Sequence, residues 1–217
     1  MKSDLQLQKD VRAELAWDPA INAAHVGVAA KDGVVTLTGH LETFAEKSAV
    51  QRALKRVAGV KAIALELDVK LEPNHKRSDT DIAAAVETAF RWHALIPAER
   101  IQVVVEKGWV GLTGEVDWDY QRESAAKVVR DLIGVVGVSN SISLKAVMTP
   151  KDVTSRIQSA LARQAKEEAK GIEVTLKGAT VTLRGSVHSW AERSAAYMAA
   201  WGAPGILSVV NEIKVIG

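Results

Sequence analysis

No cysteine occurs among the 217 residues of the chain. Disulfide staples and thiolate chemistry are therefore excluded, and the redox compartment stays undetermined. Long apolar runs are also missing, and no stretch approaches the ~18 residues that a spanning helix needs. The opening residues Met1-Lys2-Ser3-Asp4-Leu5-Gln6 hold neither an apolar segment nor a small-residue cleavage site. No signal peptide is read there, so the expectation is a cytoplasmic location, or a periplasmic one if the chain is a processed form. Charge of one sign is lacking: 28 Lys and Arg balance 26 Asp and Glu, for a net charge of +2. A nucleic-acid footprint would need a concentrated basic face, so no nucleic-acid partner is expected. The five histidines, His25, His40, His75, His93 and His188, show no pair at helical ligand spacing. Neither a metal nor a cofactor is expected from them. Carboxylates are plentiful but recur in no context that suggests an acid/base pair, and the reading is a non-enzyme.

What the sequence does have is repetition. Val34-Val35-Thr36-Leu37-Thr38-Gly39 returns as Trp109-Val110-Gly111-Leu112-Thr113-Gly114 and as Thr180-Val181-Thr182-Leu183-Arg184-Gly185. Each copy alternates apolar with smaller or polar residues and stops at a glycine, which reads as a half-buried β-strand followed by a turn. The copies lie 75 and 71 residues apart. Counting outward from the three glycines extends the register without a gap. A second glycine follows at Gly59, Gly134 and Gly205, and large apolar residues precede at Leu15, Phe90 and Leu161. Agreement at this many offsets is the signature of an internal repeat. The boundaries read as 1–72, 73–148 and 149–217. Units of roughly 70 residues bury small cores, so packing between units, or a homo-oligomer, is expected.

Within each unit the periodicities are legible. Leu7, Val11 and Leu15 share one face of a helix. The second copy uses Ile82, Val86 and Phe90, capped by Asp79 or Thr80, and the third runs from Thr149-Pro150 through Val153, Ile157 and Leu161. That third helix carries Lys166-Glu167-Glu168 and is read as ending near Gly171. A short strand follows, then a tight turn at Asp32-Gly33 or Lys107-Gly108. In the third unit the glycine, Gly178, stands one position early, so that turn should differ in type. The strand after the turn faces inward through Val35/Leu37, Val110/Leu112 and Val181/Leu183. A second, alanine-rich helix begins at the capping boxes Thr43-Phe44-Ala45-Glu46 and Ser189-Trp190-Ala191-Glu192. In the middle copy Gln121 keeps the reaching residue but Trp118 stands at the cap, and the cap is moved to Asp117. A last strand carries Ile63, Leu65, Leu67 and Val69, matched by Val138, Asn140, Ile142 and Leu144, then Val209, Asn211, Ile213 and Val215. The fold class is α+β: three tandem units of helix–strand–strand–helix–strand, each a three-stranded mixed sheet with two helices on one face. A buried amide needs partners, so Asn140 and Asn211 are each expected to tie down a neighbouring loop. Glycines of the run 108–114 lie within a strand, which is the wrong context for a phosphate loop.

These residues resemble the BON domain family, named for bacterial osmotically inducible and nodulation-type proteins. The resemblance rests on Val-x-Leu-x-Gly, a helix, then Gly-Val and Val-x-Asn-x-Ile. Gly134-Val135-Val136-Gly137-Val138-Ser139-Asn140-Ser141-Ile142 and Gly205-Ile206-Leu207-Ser208-Val209-Val210-Asn211-Glu212-Ile213 match closely, and the first unit departs with Leu65 in place of the asparagine. It resembles the signal-less, three-domain members. The resemblance implies a non-enzymatic, stress-associated protein that binds phospholipid or envelope surfaces, or one that stabilises other proteins as a scaffold or chaperone-like partner.

Tryptophan is the remaining feature: six residues, beside two Phe and two Tyr. Trp17 and Trp92 are equivalent, near the end of the first helix. Trp118 and Trp190 stand near the start of the second, and Trp109 points to the sheet face opposite the inward set. Two readings stay open. Either these rings pack between repeats, covering the sheet face that the helices leave bare, or they form an exposed aromatic patch for a membrane interface or a partner. The structural glycines singled out are Gly39, Gly59, Gly114, Gly134, Gly185 and Gly205.

Overall fold

A computed structural model describes residues 2–145, 153–164 and 172–216. The first repeat contains helix α1 (Asp4–Trp17), strands β1 (Val26–Lys31) and β2 (Val34–Leu41), helix α2 (Phe44–Arg56) and strand β3 (Ala62–Val69). The second contains α3 (Asp79–Trp92), β4 (Ile101–Glu106), β5 (Trp109–Val116), α4 (Asp119–Arg130) and β6 (Gly137–Leu144). The third contains α5 (Val153–Gln164), β7 (Glu173–Lys177), β8 (Thr180–Val187), α6 (Trp190–Trp201) and β9 (Ser208–Val215). Each repeat forms its own three-stranded mixed sheet. The middle strand pairs antiparallel with the strand before it and parallel with the strand after it. Thr149-Pro150, the run Lys166-Glu167-Glu168 and Gly171 fall outside the described residues.

The hairpin turns follow their glycines. Asp32 and Gly33 have φ of 53° and 84°, and Lys107 and Gly108 have 51° and 77°, the double left-handed geometry of a type I′ turn. In the third repeat Gly178 takes φ 60° at the first turn position and Ala179 is not left-handed. That is the II′ pattern, in which the glycine comes first. In the two I′ repeats a carboxylate clamps the turn. Asp4 accepts the Asp32 N–H (3.1 Å), and Asp79 accepts those of Lys107 and Gly108 (2.8 Å each). Asp79 is the first residue of its helix and not its cap. The cap is Ser78, whose hydroxyl takes the Asp81 N–H while Asp81 reaches back to Ser78. Freed from capping, the Asp79 carboxylate is available to the turn.

The anchor glycine is not where the strand ends. β2 runs two residues past Gly39, which pairs with Val26 on one side and Leu67 on the other. The glycine is needed because the chain entering β1 crosses directly over it. A Cβ on Gly39 would collide with the His25 carbonyl, and one on Gly114 with the Arg100 carbonyl. Both have left-handed φ, 119° and 132°, a region that side chains rarely tolerate. The helix cap follows four residues after the glycine, at Thr43 or Trp118.

Val35, Leu37, Val110, Leu112, Val181 and Leu183 are fully buried. They meet Leu7, Val11 and Leu15 of α1, Ile82, Val86 and Phe90 of α3, or Val153 and Ile157 of α5. Buried alanines, Ala49 and Ala53, Ala125 and Ala126, Ala196 and Ala200, face the sheet from the second helices. The opposite face of each sheet is left open, and Val104 is 66% exposed there. The repeats do not cover one another's bare sheet faces; they meet through the second helices, α2 against α4 and against α6.

Among the described residues, the first residue of each second helix takes part in a contact between repeats. Phe44 packs on the core of repeat 2. Asp119, with Arg122 one turn on, lies against Trp201 of repeat 3. Trp190 packs on the core of repeat 1 and donates its indole N–H to the Val60 carbonyl at 2.5 Å. The contacts run in one sense, from repeat 1 to 2, 2 to 3 and 3 back to 1. Head-to-tail contacts whose rotation closes make a ring.

Gly114→Ala is expected to lower the denaturation free energy by about 1–3 kcal/mol, the size of a strained backbone position. Gly111→Ala, whose Cβ would meet only the Val104 carbonyl at 3.7 Å, should stay within about 0.5 kcal/mol. Urea denaturation of the two variants compares them directly.

Candidate binding surfaces

The tryptophans divide by environment. Trp17 and Trp92 end α1 and α3 and are 83% and 86% exposed. A helix that stops at an indole with nothing packed on it offers the ring to solvent. Trp109 lies on the bare face of its own sheet, over Gly137, where any side chain would collide with the ring. Its N–H donates to the Ser139 hydroxyl at 2.8 Å, and half of it stays exposed. Trp118 is partly exposed at the boundary of repeats 2 and 3. Trp190 lies between repeats 3 and 1, with the Arg193 guanidinium 5.2 Å from its ring centroid. Trp201, which the sequence reading did not single out, is the most buried of those described, at 8% exposure. The Arg122 guanidinium stands 4.7 Å over it and Tyr197 meets it edge-on.

One basic position recurs in the second helices. Lys47 donates to the Leu67 carbonyl (2.7 Å) and Arg193 to the Ile213 and Asn211 carbonyls (3.0 and 2.9 Å), each fastening helix to last strand. Arg122, the equivalent residue, is turned instead to Asp119 and Trp201. The asparagines add a second tie. Asn140 donates to the Arg122 carbonyl and Asn211 to that of Arg193, while each oxygen accepts the N–H two residues on. Their partner is therefore the first turn of a helix, where a loop was expected. Near it, Trp118 holds the N-cap position itself. Gln121 accepts the N–H of both Asp117 and Trp118 (3.0 Å each), and the Asp117 side chain is drawn off by Arg100 at 2.6 Å. That guanidinium holds the Asp117 carboxyl below its ordinary range. Burial pushes the Asp119 carboxyl up, against the opposing pull of Arg122.

Gly39, Gly114 and Gly185 sit inside the central strands. Gly59, Gly134 and Gly205 lie between the second helix and the last strand, all with positive φ. His25, just before β1, stacks on His40 of β2, with centroids 4.6 Å apart and planes 12° apart. Spacing along the sequence could not show this pair, because strand pairing creates it. Among the described residues no three His, Asp or Glu side chains form a metal-binding group, and no helix is long and apolar enough to cross a membrane.

The BON domain family matches the sequence at residues 3–70, 78–146 and 150–217. The curated relative is Osmotically-inducible protein Y of Escherichia coli (strain K12), 26% identical over 146 residues, covering 65% of this chain and 73% of that protein. Among solved structures, the C-terminal domain of CdsD, the structural protein of the type III secretion system of Chlamydia trachomatis, aligns over 100% of both chains at 13% identity. The TM-score is 0.27. A second CdsD structure covers 97% of this chain and 92% of its own at 14% identity and a TM-score of 0.24. Scores this low carry no argument.

Two outcomes follow from these environments. Trp190→Ala should cost about 2–4 kcal/mol of stability, as buried large-to-small changes do, whereas Trp17→Ala and Trp92→Ala should each change it by less than about 0.5 kcal/mol; thermal denaturation separates them. For Asp119, the folded protein favours the protonated carboxyl, so ionisation costs stability as pH rises through the raised folded value. Asp119→Asn is therefore expected to be at least as stable as the parent at neutral pH, with its relative stability falling as pH drops through the raised value into the ordinary carboxylate range. Denaturation midpoints measured across that window give the sign.

Proposed function

The chain belongs to the BON domain family, and from that premise we propose that it is a non-enzymatic, osmotic-stress-associated protein that binds a phospholipid surface of the cell envelope. The name of the Escherichia coli relative supports the stress association. Exposure of Trp17 and Trp92 carries the lipid reading. Tryptophan belongs at a membrane interface, where its ring enters the apolar boundary and its N–H stays with water and headgroups. The two residues are equivalent in their repeats, each at the end of a first helix, and in this reading both enter the same lipid surface. Two anchors on a rigid body bind more tightly than either alone. The net charge of only +2 gives the lipid's charge a small part in this attachment. In this reading the chain works at the envelope; the cytoplasmic location expected above has no support among the comparisons.

Co-sedimentation of the full chain with phosphatidylcholine vesicles, with and without anionic phosphatidylglycerol, tests this. The parent should pellet with vesicles, and Trp17→Ala/Trp92→Ala should lose at least tenfold in partitioning with unchanged thermal stability. A parent chain that stays in the supernatant with both compositions would reject the lipid reading. The scaffold or chaperone-like reading, in which the same indoles contact proteins, would then take its place.

A further inference from the structure

The three contacts that close the ring are made by equivalent residues of unequal chemistry. In two of them an aromatic ring, Phe44 or Trp190, is set against the next repeat's core. In the third the equivalent residue is Asp119, and the ring at that junction, Trp201, comes from the receiving repeat. The receiving wall is cut back as well. Where repeat 1 has Val57 and repeat 2 has Leu132, repeat 3 has Ala203. Both truncations fall at one junction and leave a cavity of about 300 Å³ between repeats 2 and 3. A water takes ~30 Å³ of liquid volume, so the space holds on the order of ten waters and is roomy enough to admit a ring. Trp118, Leu144, Trp201, Ala203 and Ile206 form its apolar walls, with Asp117, Asp119 and Lys145 at its polar side. Trp201 is 8% exposed and its indole nitrogen has no hydrogen-bond partner.

We infer that this cavity is a binding site for a single aromatic ring bearing an N–H, of the indole class. The chain itself displays the occupant at the corresponding junction. There the Trp190 ring lies against repeat 1 and donates to the Val60 carbonyl. Ile206 is the residue of repeat 3 equivalent to Val60, and it lines the cavity. An incoming indole would meet Ile206 where Trp190 meets Val60, with Trp118 at the rim to stack on. A free small indole and a tryptophan side chain of another polypeptide offer this same group.

The test titrates the full chain with indole in one arm and N-acetyltryptophanamide in the other, following the indole N–H signals of the six tryptophans by ¹⁵N NMR. Saturable shifts of Trp118 and Trp201, with Trp17 and Trp92 unmoved, are expected. Binding by indole alone assigns a free small aromatic; binding by both with equal or greater affinity for the amide assigns a tryptophan side chain. Ala203→Leu, which installs the residue of repeat 2, should weaken binding at least tenfold. Asp119→Phe, which installs the ring of repeat 1, should do the same if the first variant does not fold. Absence of saturable shifts with either probe, or parent-like affinity in the folded variants, overturns the inference.

Discussion

The first two repeats depend on one close approach: a backbone carbonyl passing over the α-carbon of a glycine. Because Gly39 and Gly114 have no side chain, the segment entering the first strand can cross the central strand and still pair with it. The strand then reaches Leu41 or Val116, both buried, and is aimed at the cap of the second helix. Without the crossing, the cap and the helix that joins the repeats would be displaced together.

The second helices carry both loads of the structure. Their inner faces are alanine, which lets them lie close on the sheet. Their first residues are large or charged and reach outward into a neighbour. One small unit cannot bury much apolar surface, and the ring lets three units share what each lacks. The sheet faces are left bare because no helix remains to cover them, and Val104 and Trp109 stay exposed on the second of them.

Much of this was legible in the sequence. Inward residues of the central strands, the hairpin turns and the repeat itself follow from period and spacing, since those are local properties of the chain. The turn clamp by Asp4 and Asp79 was also present, at equal distances before the two anchor glycines, but short polar residues near a helix start read first as caps. The strand end at the glycine was misplaced, because a break in alternation looks like a turn whether or not the strand goes on. What the sequence withheld was contact across repeats. Nothing local to Trp201 shows that Arg122 will lie over it, and nothing local to Trp17 shows that no neighbour arrives. The stacked pair of His25 and His40 is hidden for the same reason.

The bond from Trp190 to Val60 spans 130 residues of chain, and that separation sets an order of events. Neighbouring repeats are joined by short connections, so their faces find each other at small entropic cost. The contact between first and last repeats must wait until the two intervening junctions have fixed their relative placement. Long-range contacts of this kind slow folding. The burial of one indole, late and at a single place, is then the clock by which completion of the ring can be read.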